Sequence, residues 1–224
     1  MRQTFFITGT DTGVGKTVLT ALLTRFLSER GVRAAALKPV CSGGRADARA
    51  LHAALAGALT LDEINPWHFR APVAPSLAAR RENKTVKLPQ VLAHIRALQK
   101  RFDVVLVEGA GGLLSPLGDN FNSRDLISAL RATPIVVAPN KLGVVNHILL
   151  TLEALPKNVR PKAKIILMSP PRADAANGAN AELLGQFVPP EKILSLSWLG
   201  EHIDAPAALK KLRVQRALSA LTEI

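Results

Sequence analysis

Residues 9–17, GTDTGVGKT, gather side chains and glycines that together could hold a phosphate. Gly13 and Gly15 can adopt backbone angles that turn N–H groups inward and let an anion come close. Lys16 would place a point charge on the β- and γ-phosphates of a nucleotide, and the Thr17 hydroxyl would ligate Mg²⁺. The spacing is unusual, however. The common loop reads G-x-x-x-x-G-K-[ST], and counting back from Gly15-Lys16-Thr17 puts Thr10 where the first glycine belongs, with Gly9 one residue early. A glycine-rich turn ending by chance in GKT is the alternative. The apolar run before the loop and the amphipathic stretch after it favour a phosphate site, because a helix starting near Lys16 adds unsatisfied N–H groups and a positive dipole end.

Such a loop needs a carboxylate for the metal, since Mg²⁺ binds hard oxygens and keeps several waters. DVVLVEG (103–109) supplies Glu108 at the end of an apolar strand, where it would reach the same sheet edge as the loop. Gly109, Gly111 and Gly112 then form a second glycine-rich turn suited to backbone contacts with an anion. NKLG (140–143) imitates the guanine-reading NKxD pattern, but Gly143 stands where the aspartate would grip the base, so GTP is not expected.

The elements that must position these groups alternate along the chain. Short apolar runs at 4–8, 34–40, 103–109, 134–140, 164–171 and 192–198 read as strands. Helical spacing appears at 16–30, near 47–55, and at 88–101, 145–155 and 206–221, with a proline-rich passage at 65–75. This alternation predicts an α/β fold: one P-loop NTPase-like domain, 1–224, with a parallel sheet flanked by helices on both faces. In such a sheet, ligands bind beyond the carboxyl ends of the strands, where the loop and Glu108 would both lie.

Composition sets limits on partners. No apolar run approaches the ~20 residues of a membrane span, MRQTFFITG offers no secretory signal, and the single cysteine, Cys41, suits a reducing cytoplasm. The net charge is +12. Residues 70–101 hold eight basic residues and one acid, Glu82, which supplies seven of those twelve charges. The segment has no interleaved aromatics for base stacking, so it reads as a solvated basic face, and neither nucleic acid nor membrane is expected as a partner.

Several stretches together resemble the dethiobiotin synthetases: GTDTGVGKT, LKPVCSG (37–43), RADARAL (45–51), APVAPSLAA (71–79), VEGAGGLLSPL (107–117) and KLGVVNH (141–147), in that order. The resemblance spans most of residues 4–150 and fades beyond. Those enzymes carry a variant phosphate loop, which accommodates the offset at Thr10. The resemblance implies an ATP-dependent carboxylase that joins CO₂ to 7,8-diaminononanoate and closes a ureido ring to give dethiobiotin, ADP and phosphate. The route runs through a carbamate and a carbamic-phosphoric anhydride.

It also implies roles for residues. Lys16 and Lys38 would surround the transferring phosphoryl group as catalytic residues, Lys38 foremost, although alone Lys38 would read as a solvated strand-end lysine. Thr17, Asp47 and Glu108 would arrange Mg²⁺. Gly13, Val14, Gly15, Lys16, Thr17 and Val18, together with the turn Gly109, Ala110 and Gly111, would contact the nucleotide. Thr12, Ser42 and Gly112 would hold the diamine and its carbamate. Asn146 would close over the substrate tail from the neighbouring subunit of a homodimer; its plainer reading is an N-cap for the helix that follows. Ser169, Ser197, Trp198 and Glu201 would line the base pocket.

There the chain departs from the family. Ser169-Pro170-Pro171 stands where an asparagine usually reads the purine, and Leu196-Ser197-Trp198 lacks a family proline. A serine hydroxyl cannot make the paired contacts of an amide, so ATP is expected with a smaller kinetic preference over CTP or GTP. Gly13 also replaces a glutamate found in some members. Two other readings compete. A partition or membrane-targeting ATPase switch would suit the charge, but it carries a lysine where Thr10 sits and calls for an amphipathic membrane helix that the sequence does not show. A cobyrinate-type amidotransferase would need a glutaminase domain with a nucleophilic cysteine, for which 224 residues leave no room.

Overall fold

The computed structural model describes residues 2–172, 176–200 and 205–222. β1 (Gln3–Gly9) runs through the glycine-rich loop into α1 (Lys16–Ser28). β2 (Ala34–Leu37), β3 (Val40–Ser42), α2 (Ala46–Ala54), α3 (Leu61–Ile64), β4 (Trp67–Phe69), α4 (Pro75–Arg81) and α5 (Leu88–Gln99) follow. β5 (Val104–Glu108) leads to a small antiparallel pair, β6 (Pro116–Gly118) and β7 (Phe121–Asn122), and then to α6 (Ser123–Leu130). The remainder is β8 (Thr133–Pro139), α7 (Val144–Ala154), β9 (Lys164–Met168), α8 (Ala176–Leu184), β10 (Ile193–Leu196), α9 (Ala205–Leu209) and α10 (Leu212–Thr222).

Six strands form one parallel sheet in the order β10-β9-β8-β1-β5-β2. β2 and β5 are buried at every position. Because neighbouring side chains on a strand point to opposite faces, such runs require helices on both sides. β1 sits in the middle, between β5 and β8, and its Phe6 and Ile7 are wholly buried.

Three expected elements are corrected. The run 34–40 is not one strand: Pro39 has no N–H to give to a ladder, and the Lys38 N–H turns away to the Ile64 carbonyl at 3.0 Å. β3 then pairs in parallel with β4 in a separate two-stranded sheet. The strand expected at 164–171 stops at Met168, before Pro170 and Pro171. The last helix is two helices, with the Leu209 carbonyl closed off by the Gln215 side chain at 2.7 Å. Helix α6 was not expected. Its signal was local: Asn122 accepts from the Arg124 N–H, and Asp125 accepts from the Asn122 N–H, both at 2.9 Å, a capping box at its first turn.

Replacing Phe6 with alanine should remove a side chain from the centre of the sheet and cost about 3–5 kcal/mol. Denaturant unfolding of the two proteins measures this, with an unchanged m-value expected.

Candidate active site

Strand register assembles the site. Ile7 of β1 lies opposite Glu108 of β5, two residues before the phosphate loop begins. Leu37 of β2 lies opposite Val107 on the other side of β5, so Lys38 leaves the sheet beside Glu108. The loop, Lys38 and Glu108 therefore meet at one carboxyl edge although they are far apart in sequence. The first turn of α2 adds Asp47.

The contacts are short and mutual. Lys38 Nζ lies 2.6 Å from Glu108 Oε1 and 2.9 Å from Asp47 Oδ2. The Thr17 hydroxyl donates to the same Glu108 Oε1 at 2.7 Å. Glu108 Oε2 is buried and has no hydrogen-bond partner among the described residues. Lys16 Nζ donates to the Asp11 carbonyl at 2.7 Å, within its own loop. Gly15 is the N-cap of α1 with φ 97°, a left-handed conformation in which any side chain is strained. A Cβ there would also press on the Met168 side chain at 3.0 Å.

These groups line a cavity of about 690 Å³. Of the residues singled out from the sequence, Thr12, Gly13, Gly15, Lys16, Thr17, Val18, Lys38, Ser42, Asp47, Glu108, Ala110 and Gly111 face it. Sequence reasoning missed Cys41, Ser115 and the segment Pro72, Val73, Ala74 and Pro75 as lining groups. The quoted APVAPSLAA stretch contained the last four, and only their approach in space shows that they form a wall. The Ser42 hydroxyl donates to the Val73 carbonyl at 2.5 Å, which leaves its oxygen free to accept from an amine. The Cys41 thiol is directed away, to Asn65 Oδ1 and the Gly44 carbonyl, both at 3.2 Å, and burial pushes its pKa up.

Other expected groups lie elsewhere. Val14 is buried in the core, and Gly109 and Gly112 are not part of the cavity wall. Gly109 packs so closely that a Cβ would meet Ser123 Oγ at 2.7 Å. Asn146 is not an N-cap: Gly143 holds that position, and Asn146 is exposed within α7. Ser169 and Ser197 follow the ends of the paired strands β9 and β10, with Trp198 next to Ser197 and 44% exposed, and none of the three reaches the cavity. Ser197 Oγ is buried without a hydrogen-bond partner among the described residues. Glu201 lies outside the described residues.

Electrostatics separates the two lysines. Burial pulls the Lys16 pKa down, and repulsion from Lys38 adds to it, to about 8. Burial also opposes the charge on Lys38, but the Glu108 and Asp47 carboxylates outweigh it and hold the pKa above the ordinary lysine value. Burial acts to raise the Asp47 pKa, and Lys38, chief among the opposing groups, brings it below the usual carboxylate range.

The donor set fits Mg²⁺. Thr17, Glu108 and Asp47 offer only hard oxygens, and the unpartnered Glu108 Oε2 needs a donor or a cation. No group of three or more His, Cys, Asp or Glu converges among the described residues. Such a group is not needed, since Mg²⁺ at nucleotide sites uses one or two carboxylates together with phosphates.

A parallel sheet with a glycine-rich loop between β1 and α1, and a carboxylate closing the neighbouring strand, defines a P-loop NTPase-like protein. A family model described as an AAA domain matches residues 3–204. An ATP-dependent dethiobiotin synthetase BioD of Anaeromyxobacter dehalogenans (strain 2CP-C) is 42% identical over 198 residues, covering 86% of this chain and 89% of that protein. One from Akkermansia muciniphila is 43% identical over 153 residues, covering 68% of this chain and 72% of its own. The chain belongs to the dethiobiotin synthetase family. Among solved structures, pNOB8 ParA bound to nonspecific DNA aligns over 100% of this chain and 98% of that one, with a TM-score of 0.59 and 14% identity. The FtsY receptor of Elizabethkingia anophelis covers 99% of this chain and 65% of its own, with a TM-score of 0.51 and 12% identity. At such identities the likeness is one of fold.

The lowered Lys16 pKa generates a pH prediction. Above about pH 8 a growing fraction of the protein carries a neutral Lys16, and nucleotide phosphates favour the ammonium. ADP binding should therefore take up a proton at about pH 8.5, and less as the pH falls toward 7. Calorimetric titration in two buffers of different ionisation enthalpy reads that uptake directly.

Proposed function

We propose that the chain, as a single domain over residues 1–224, carboxylates 7,8-diaminononanoate with CO₂ and ATP to give dethiobiotin, ADP and phosphate. The observation that carries this reading is the wall of the cavity. Two buried ammonium groups, Lys16 and Lys38, border the phosphate loop, and the same space continues past Ser42 and Pro72 to Pro75. A nucleotide's terminal phosphate and a small amine would share it. The relatives named as ATP-dependent dethiobiotin synthetases support the choice of reaction.

In this reading one amine takes up CO₂ as a carbamate and loses a proton. A carbamate oxygen accepts the γ-phosphoryl group, and ADP departs. The second amine then adds to the carbonyl carbon of the mixed anhydride and gives up a proton, and phosphate leaves with the broken C–O bond as the ring closes. The chain's work is positioning and charge neutralisation. Loop N–H groups at the start of α1 and Lys16 would hold the phosphates, while Lys38 would face the oxygens that gain charge during transfer. Ser42, its proton engaged by Val73, would accept from an amine N–H, and Thr12 would stand opposite. Bound Mg²⁺ would be held through Thr17, Asp47 and Glu108 and would neutralise phosphate charge.

The reading includes a homodimer acting in the cytoplasm. No helix among the described residues is long and apolar enough to cross a membrane. Leu142 is 83% exposed and Leu150 61% exposed. With Asn146 they are spaced four residues apart, along the outer side of α7 and the turn before it. A second subunit covering that side would bury both leucines and bring Asn146 toward its partner's cavity.

Three experiments test these statements. ATP hydrolysis with bicarbonate should depend on 7,8-diaminononanoate and yield dethiobiotin by mass detection; turnover indifferent to the diamine removes the proposal. Lys38→Ala should lower kcat on the order of 10²–10³-fold, the range for removing one charge-stabilising group. Leu150→Glu should shift sedimentation from dimer to monomer and reduce turnover, and an unchanged dimer would reject this face as the interface.

A further inference from the structure

The contacts of Lys38 carry one step more, which rests on reading Thr17, Asp47 and Glu108 as the magnesium donors. We propose that Lys38 is the stand-in cation of that metal site: its ammonium holds the Glu108 and Asp47 oxygens until a divalent ion takes them, and the exchange releases it toward the phosphoryl group.

The geometry points to competition. One ammonium bridges both carboxylates, 2.6 Å from Glu108 Oε1 and 2.9 Å from Asp47 Oδ2. No other lysine, arginine or histidine makes an ion pair with either carboxylate among the described residues. Glu108 is fully buried, and the Lys38 side chain is only 4% exposed. A buried carboxylate without a counter-charge is strongly destabilising, so something positive must always stand there. A divalent ion at the same oxygens would lie within a few ångströms of the ammonium, where repulsion between like charges is large. Both cannot occupy the site. Lysine suits the exchange because its charge sits on a flexible four-carbon stem, and the Lys38 side chain already borders the open cavity.

Two consequences follow. The metal by itself binds weakly, because it must displace a cation already in place. Nucleotide phosphates tip the exchange, since they offer oxygens both to the ion and to the released ammonium. Lys38 thus couples arrival of the charged nucleotide to its own placement for transfer. A permanent structural partner would behave differently: removing it would disorganise the two carboxylates and weaken metal binding. The two roles predict opposite signs.

The test uses Mn²⁺ alone, without nucleotide, with the free ion followed by its paramagnetic resonance signal. Lys38→Met should bind Mn²⁺ at least roughly tenfold tighter than the unmodified protein, because a like charge is gone. Equal or weaker binding overturns the proposal. Lys38→Arg keeps the cation and should bind no tighter than the unmodified protein; a gain like that of the methionine variant would also overturn it. Should Lys38→Met not fold in the absence of metal, Mn²⁺ should restore its circular dichroism and raise its melting temperature, and failure to rescue counts against the exchange. Glu108→Gln in the Lys38→Met background should abolish the gain, and a gain that persisted would remove Glu108 as the contested ligand. Dethiobiotin formation by the unmodified protein is scored separately. Product formed without tighter Mn²⁺ binding rejects the exchange alone, whereas absence of product rejects the functional reading whatever the metal does.

Discussion

A carboxylate buried at the end of the strand beside the central one is the constraint on which the rest of this site depends. The Glu108 side chain has no exposure to solvent, and a charge so placed is tolerated only with a counter-charge and hydrogen bonds at hand. Lys38 supplies the first at 2.6 Å and Thr17 the second at 2.7 Å. These two residues follow β2 and open α1, so satisfying one side chain ties together three segments of the chain. The apolar sheet beneath them sets the positions: β1 against β5, and β5 against β2, in parallel register.

That arrangement also divides labour between the two lysines. Lys38 sits between two carboxylates and keeps its charge firmly. Lys16 is desolvated and repelled by Lys38, and among the described residues its ammonium donates to a loop carbonyl. One ammonium is anchored by carboxylates, and the other holds its proton less firmly. A phosphate group entering the loop meets N–H donors at the start of α1 and finds both lysines on the wall of the same cavity. The part of the cavity lined by Ser42, whose hydroxyl donates to the Val73 carbonyl, and by the Pro72 to Pro75 segment carries no charged side chain.

Much of this was legible in the residues themselves. The alternation of apolar runs and helical spacing led to the parallel sheet, and GKT after an apolar run marked the turn into α1. Glu108 was legible because an acid closes a run of four apolar residues. Where the reading slipped, local chemistry competed with pattern. Pro39 ended β2 and sent the chain into a second sheet, and the proline pair after Ser169 cut β9 short. Helix α6 escaped because it is only eight residues long, although its pattern is strongly amphipathic, with Leu126 and Ile127 buried behind the capping box. Asn146 was placed at a helix end that Gly143, with its positive φ, occupies instead.

The sequence by itself determined the kinds of group present, the order of strands and helices, and the family to which the chain belongs. These depend on residue type and short-range spacing, which a linear reading can see. Only the tertiary structure decided that Lys38 spans Glu108 and Asp47, that Thr17 shares the same oxygen, and that the 72–75 segment closes the cavity. Those facts depend on strand register across the sheet and on the need to neutralise a buried charge. Neither is written in any one stretch of the chain, because each arises from groups dozens of residues apart competing for the same few ångströms.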